Sequence, residues 1–113
     1  MTFDEVYEAL DSLEGIPVAY YAFTTGNVPP CPFMVYYYPS NNDEIADGTN
    51  YAKVVQINVE LYTDTKDFDT EARVEDLLNS IGLVYTRAEQ YITAEEMYEV
   101  LYESEVVITN GSN

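Results

Sequence analysis

Residues 55 to 62 alternate strictly between apolar and polar side chains: Val55, Ile57, Val59 and Leu61 interleave with Gln56, Asn58, Glu60 and Tyr62. A period of two places the four aliphatic residues on one face of an extended strand and the other four on the opposite face. A slip of one residue would turn the whole apolar row towards water, so the pattern specifies the register as well as the strand. The chain must therefore build a sheet with one covered face and one wetter face, and must supply something to cover it.

Two segments with helical spacing can do so. Thr2 and Glu5 have the spacing of a capping box, followed by Phe3, Val6, Tyr7, Leu10 and Leu13, with Gly15 as the stop. Residues 2 to 14 are predicted as an amphipathic helix, with Asp4 and Glu5 favoured by the dipole in its first turn. After the acidic turn 63 to 68, Asp69 or Thr70 can cap a second helix over about 70 to 81. Its apolar face carries Val74, Leu77, Leu78 and Ile81, and Gly82 ends it.

The remaining segments read as strands and loops. Ile16, Val18, Tyr20 and Ala22 fall on one side of a first strand over 17 to 23. Thr24 to Asn27, followed by Pro29, Pro30 and Pro32, forms a stiff loop over 24 to 32. In the second strand, 33 to 38, the side chains of Phe33, Val35 and Tyr37 oppose those of Met34, Tyr36 and Tyr38. Such a strand is covered on both faces or shows a tyrosine row to a partner, which makes Tyr36 and Tyr38 candidate interface residues. Residues 39 to 50 are nearly all turn formers and make a long polar loop of a length that is usually functional or mobile. A fourth strand is predicted over 83 to 92.

The last segment offers two readings. Thr93 and Glu96 have capping-box spacing, and Met97, Val100 and Leu101 allow a helix over 94 to 103. The alternation of Tyr98, Val100, Tyr102, Val106 and Ile108 runs longer and predicts a fifth strand instead. The fold class expected is α+β in two layers, a mostly antiparallel sheet of about five strands with two helices packed on one face. Residues 1–113 form one domain, with a fraying tail at about 110–113.

Charge narrows the function. With 21 acidic residues against four basic ones the net charge is -17, which repels phosphate backbones and anionic lipid. Neither direct nucleic-acid binding nor membrane binding is expected. Hydrophobic residues make up 47% of the chain and carry clear periodicities, which argues against an acidic disordered tail. The single Cys31 cannot form an internal disulfide and suits a reducing cytoplasm. Neither a leader nor an apolar run near 18 residues is visible, so a soluble protein, mature from Met1, is expected.

Chemistry is poorly served. The chain has no histidine, and Cys31 sits between prolines with no basic neighbour to stabilise a thiolate, so it reads as a small filler. Asp64, Asp67, Asp69 and Glu71 crowd one turn. Counted as a calcium loop from Asp64, the sixth position is Asp69 where glycine is required, and only Glu75 at the twelfth fits. Helix capping and solvation are the preferred account over a weak calcium site spanning Asp64 to Glu75. Paired carboxylates for glycoside hydrolysis would need an enclosing cleft that so small a chain has little room to build. No enzyme activity, cofactor or metal is expected. The 12 tyrosines, large and amphipathic, point to interfaces as well as to core.

The opening helix, Gly15-Ile16-Pro17-Val18-Ala19-Tyr20, Pro32-Phe33-Met34-Val35-Tyr36-Tyr37, Val59-Glu60-Leu61-Tyr62-Thr63 leading through Lys66-Asp67 to Glu71, and the closing stretch from Tyr91-Ile92-Thr93-Ala94-Glu95-Glu96-Met97-Tyr98 to Glu105 form a familiar arrangement. It resembles the small tail-terminator, tail-completion or head-tail joining proteins of long-tailed phages and prophages of Gram-positive bacteria. That resemblance implies an antiparallel sheet with helices against it, and a ring, usually a hexamer, that caps the tail tube and meets the head connector. Subunits of this kind can remain monomeric when isolated. Their partners would be other tail and connector proteins, and their place the virion and, during assembly, the host cytoplasm. The family's contacts lie on sheet edges and long loops, which implies the loops 24 to 32 and 39 to 50, with Asn41, Asn42, Asp43 and Asp47 as interface candidates. Three other readings stand beside it: an acidic inhibitor that imitates DNA, a small carboxylate enzyme, and a binding domain of another kind.

Overall fold

The computed structural model describes residues 1–40 and 52–109. Their elements are α1 (Phe3–Asp11), β1 (Val18–Tyr20), β2 (Phe33–Tyr37), β3 (Ala52–Thr63), α2 (Phe68–Ser80), β4 (Tyr85–Ile92) and β5 (Met97–Thr109). The five strands form one open sheet in the order β1-β2-β3-β5-β4. The fold is α+β, as the patterning requires.

The spine of the sheet is the antiparallel pairing of β3 with β5, in register from Ala52 opposite Thr109 to Thr63 opposite Tyr98. Val55, Ile57, Val59 and Leu61 stand opposite Val106, Ser104, Tyr102 and Val100, so the aliphatic row of β3 meets a mainly apolar row of β5 on the same face. Val6 and Leu10 of α1 and Val74 and Leu78 of α2 join these residues in one core. Each fully buried aliphatic side chain contributes about 1.5–3 kcal/mol, and a stripe of only two or three per helix suffices for docking.

Helix α1 starts as its capping box dictates. Glu5 N–H donates to Thr2 Oγ1 at 3.1 Å, and Thr2 N–H donates to Glu5 Oε1 at 2.8 Å. The helix ends at Asp11, earlier than the expected 14, because Ser12 turns back onto the Ala9 carbonyl with both its N–H and its hydroxyl. In α2 the cap is Asp67, upstream of the predicted Asp69 or Thr70, and the helix begins at Phe68. The Asp67 carboxylate accepts from both the N–H and the hydroxyl of Thr70, at 3.0 and 2.7 Å, so the cap wins by holding two donors.

The strands depart from expectation in three places. The first keeps only Val18–Tyr20, since Tyr21 takes a φ of 71°, a left-handed conformation that strand pairing cannot continue. It runs parallel to β2, with Val18 opposite Met34 and Tyr20 opposite Tyr36, whereas the other three pairings are antiparallel. A parallel pair needs a crossover, and residues 21 to 32 provide it. In β4, Leu83 belongs to the core before the strand starts at Tyr85. The capping-box pair Thr93 and Glu96 closes the β4–β5 hairpin, with Glu96 N–H on the Thr93 carbonyl at 3.3 Å and Glu96 at φ 52°. The strand reading of the last segment holds.

Candidate functional site

The two candidate tyrosines of β2 are brought together. Tyr36 and Tyr38 point to the helix-covered face, where with Phe3, Asp4 and Tyr7 of α1 and Tyr20 of β1 they line an open groove of about 570 Å³. The size lies within the range of small-ligand pockets. Its walls are aromatic: Tyr20 meets Tyr36 edge-on at 5.2 Å, Tyr36 meets Tyr38 edge-on at 5.9 Å, and Phe3 meets Tyr38 at 4.9 Å. These spacings are those of favourable edge-to-face pairs.

The groove exists because the stripe of α1 divides. Val6 and Leu10 enter the core, while Phe3 and Tyr7, one turn apart, remain 47% and 42% exposed. Across from them Tyr20 on the short edge strand is 52% exposed. Tyr36, only 5% exposed, makes no side-chain hydrogen bond to the described residues. Burial pushes its phenol above the ordinary value, and the neighbouring Tyr20, Tyr7 and Asp4 carboxylate push it further in the same direction. At neutral pH the Asp4 carboxylate is the one charge of the lining, and with the aromatic faces around it the hollow favours a cation.

The opposite face of the sheet carries a second arrangement. Phe33 stacks on Tyr62 at 5.1 Å, and Phe23 from the crossover closes over Phe33 at 5.5 Å. β2 is thus buried on both faces. Alongside, Glu60 accepts from the Tyr37 hydroxyl at 2.6 Å and the Tyr62 hydroxyl at 2.5 Å, and Tyr62 also lies 3.0 Å from Glu99. Gln90 donates to Glu99, and Asn58 donates to the Tyr37 hydroxyl. The phenol of Tyr37 is raised chiefly by its bond to Glu60, that of Tyr62 chiefly by burial. These phenols act as hydrogen-bond donors to two carboxylates, which is structural work.

The acidic run before α2 is dispersed among different partners. Asp67 caps the helix. Glu71, 3% exposed, pairs with Lys66 at 2.6 Å and with Arg87, while Glu75 accepts from the Tyr102 hydroxyl at 2.8 Å. Among the described residues no group of three or more acidic or sulfur ligands is placed to hold a metal. Cys31 is partly buried, and burial, then the Asp64 charge, raises its thiol. A raised thiol is a poor nucleophile.

Asn41, Asn42, Asp43 and Asp47, and the tail 110–113, lie outside the described residues. Sequence reasoning missed Phe3, Asp4, Tyr7 and Tyr20 as companions of Tyr36 and Tyr38. Phe3 and Tyr7 share the helical spacing of the core stripe, and only the parallel β1–β2 pairing carries Tyr20 beside Tyr36. No helix among the described residues is long and apolar enough to cross a membrane. No protein-family model matches the chain, and no curated protein sequence matches it.

Proposed function

We propose that the protein is a structural subunit of a tailed phage or prophage, ending the tail or joining it to the head connector as part of an oligomeric ring. The observation that carries this reading is the outer edge of β4. Among the described residues this eight-residue strand pairs only with β5, and Thr86 to Tyr91 are exposed along it. It contains no proline, and its charges, Arg87 and Glu89, are held in ion pairs with each other and with Lys66 and Glu71 instead of guarding the edge. A neighbouring subunit can extend the sheet there through main-chain hydrogen bonds. Where the neighbour answers with a different patch, the contact is heterologous and repeats into a ring if the rotation closes.

The charge supports the same reading. A ring with an acidic inner wall repels DNA and lets it slide during ejection. The resemblance to tail-terminator and head-tail joining proteins supplies the place of action, the virion and, before it, the host cytoplasm.

The test is mass spectrometry and immunogold microscopy on tailed particles purified from the host. The subunit is expected in the particles, with label at the head-tail junction. Its absence from the particles overturns the reading, and recovery from host extract in complex with a nuclease would replace it with DNA mimicry.

A further inference from the structure

We infer that the groove between α1 and the β1–β2 edge receives the guanidinium of an arginine presented by a protein partner. Three features define that occupant. The hollow is walled by the rings of Phe3, Tyr7, Tyr20, Tyr36 and Tyr38, and aromatic faces attract cations. Asp4, in the first turn of α1, supplies the one carboxylate of the lining. Tyr36 is 95% buried, and its hydroxyl has no hydrogen-bond partner among the described residues, which leaves it open to an incoming N–H donor.

Arginine fits better than lysine. Its guanidinium is flat, weakly hydrated and carries five donors, so it can stack on a ring while reaching Asp4 and the Tyr36 oxygen together. An ammonium keeps more of its water and presents no plane to stack.

The arginine comes from another protein. Of this chain's four basic residues, Lys66 and Arg87 are held by Glu71 and Glu89, and Arg73 donates to the Glu14 carbonyl at 2.7 Å. A second copy offers only Arg73, which is exposed but already bonded to its own backbone, whereas a net charge of -17 draws basic partners to the surface. The inference does not depend on the tail reading, since it rests on the groove alone.

The experiment is an amide-detected NMR titration of the full chain with the peptide acetyl-Gly-Arg-Gly-amide. Matched peptides carry citrulline, which has the same shape without the charge, or lysine. Saturable shifts are expected at residues 3 to 7, 18 to 21 and 34 to 38, with the citrulline peptide about tenfold weaker. Asp4→Asn, on the exposed first turn, should weaken arginine binding about threefold. Tyr36→Phe should weaken it about fivefold while leaving the ring in place. Glu8→Gln, on the same helix but outside the groove, should leave it unchanged. Equal affinity for the citrulline or lysine peptide overturns the inference. So do shifts scattered over the acidic surface, or an Asp4→Asn effect no larger than that of Glu8→Gln.

Discussion

The Tyr102 hydroxyl donates to Glu75 Oε2 at 2.8 Å, which ties the centre of β5 to the middle of α2 across the core. Tyr102 is 1% exposed, and burial first, then its bond to Glu75, holds its phenol far above the ordinary value. Burial raises Tyr62 and Tyr38 as well. A raised phenol means that the folded state keeps a proton the unfolded state gives up. The stabilisation is therefore complete below about pH 10, where unfolded tyrosine titrates, and is lost as pH rises above it. Phenolate absorbance followed against pH should show an early class of tyrosines and a late class, the late class ionising together with the loss of secondary structure. A single early transition for all tyrosines, with the fold intact, would contradict this.

Glu71 is a buried charge on the face of α2 that meets the sheet. Lys66 and Arg87 neutralise it from either side, and Glu89 bridges the same two cations. Arg87→Ala leaves Lys66 alone to compensate the buried Glu71 and also removes the contacts of Arg87 with Glu75 and Glu89, so it should cost about 2 kcal/mol in denaturant unfolding. Lys66→Ala should cost less, because the guanidinium remains. Adding Glu71→Leu to Arg87→Ala should restore much of the loss, since an apolar side chain removes the orphaned charge along with the pair.

Much of this architecture was legible in residue spacing, because the deciding forces are local. The β3 alternation placed Val55, Ile57, Val59 and Leu61 on the core face, and Thr2 with Glu5 marked the start of α1. The parallel pairing of β1 was not legible. It depends on Tyr21 adopting a positive φ and on Phe23 finding Phe33, a contact across the crossover that no periodicity announces. The groove was half legible for the same reason. Tyr36 and Tyr38 stand out within β2, but their neighbours come from α1 and β1 and meet them only through the tertiary fold. Likewise Thr93 and Glu96 carry a helix-start spacing that the hairpin uses for a turn, where cross-strand pairing of β4 with β5 outweighs local propensity.

Asp67 allows a cap to be separated from a charge. Asp67→Ala leaves Thr70 N–H without its acceptor and should cost about 1 kcal/mol. Asp67→Asn keeps a capping oxygen and should be nearly neutral at pH 7. The two differ from the native chain in acid. The Thr70 hydroxyl, then its N–H, hold the Asp67 carboxyl below its ordinary value, so this stabilisation is present above about pH 4 and lost as pH falls through the depressed value. Thermal unfolding at stepped acidic pH should fall more steeply for the native chain than for Asp67→Asn. Parallel curves would show that the carboxylate form adds nothing beyond the cap.

Tyr38 tests whether a hydroxyl in the core is tolerated or used. Its oxygen is buried with no hydrogen-bond partner among the described residues, while its ring packs against Phe3 and Tyr36. A buried unsatisfied hydroxyl costs about 1–3 kcal/mol, and the ring contacts do not need it. Tyr38→Phe should therefore raise stability, by roughly 1 kcal/mol after local relaxation, with an unchanged denaturant slope. Because the Tyr38 oxygen is sealed from solvent, the same substitution should leave arginine-peptide binding intact, in contrast to Tyr36→Phe. A loss of stability in Tyr38→Phe would contradict this and show that the hydroxyl is used.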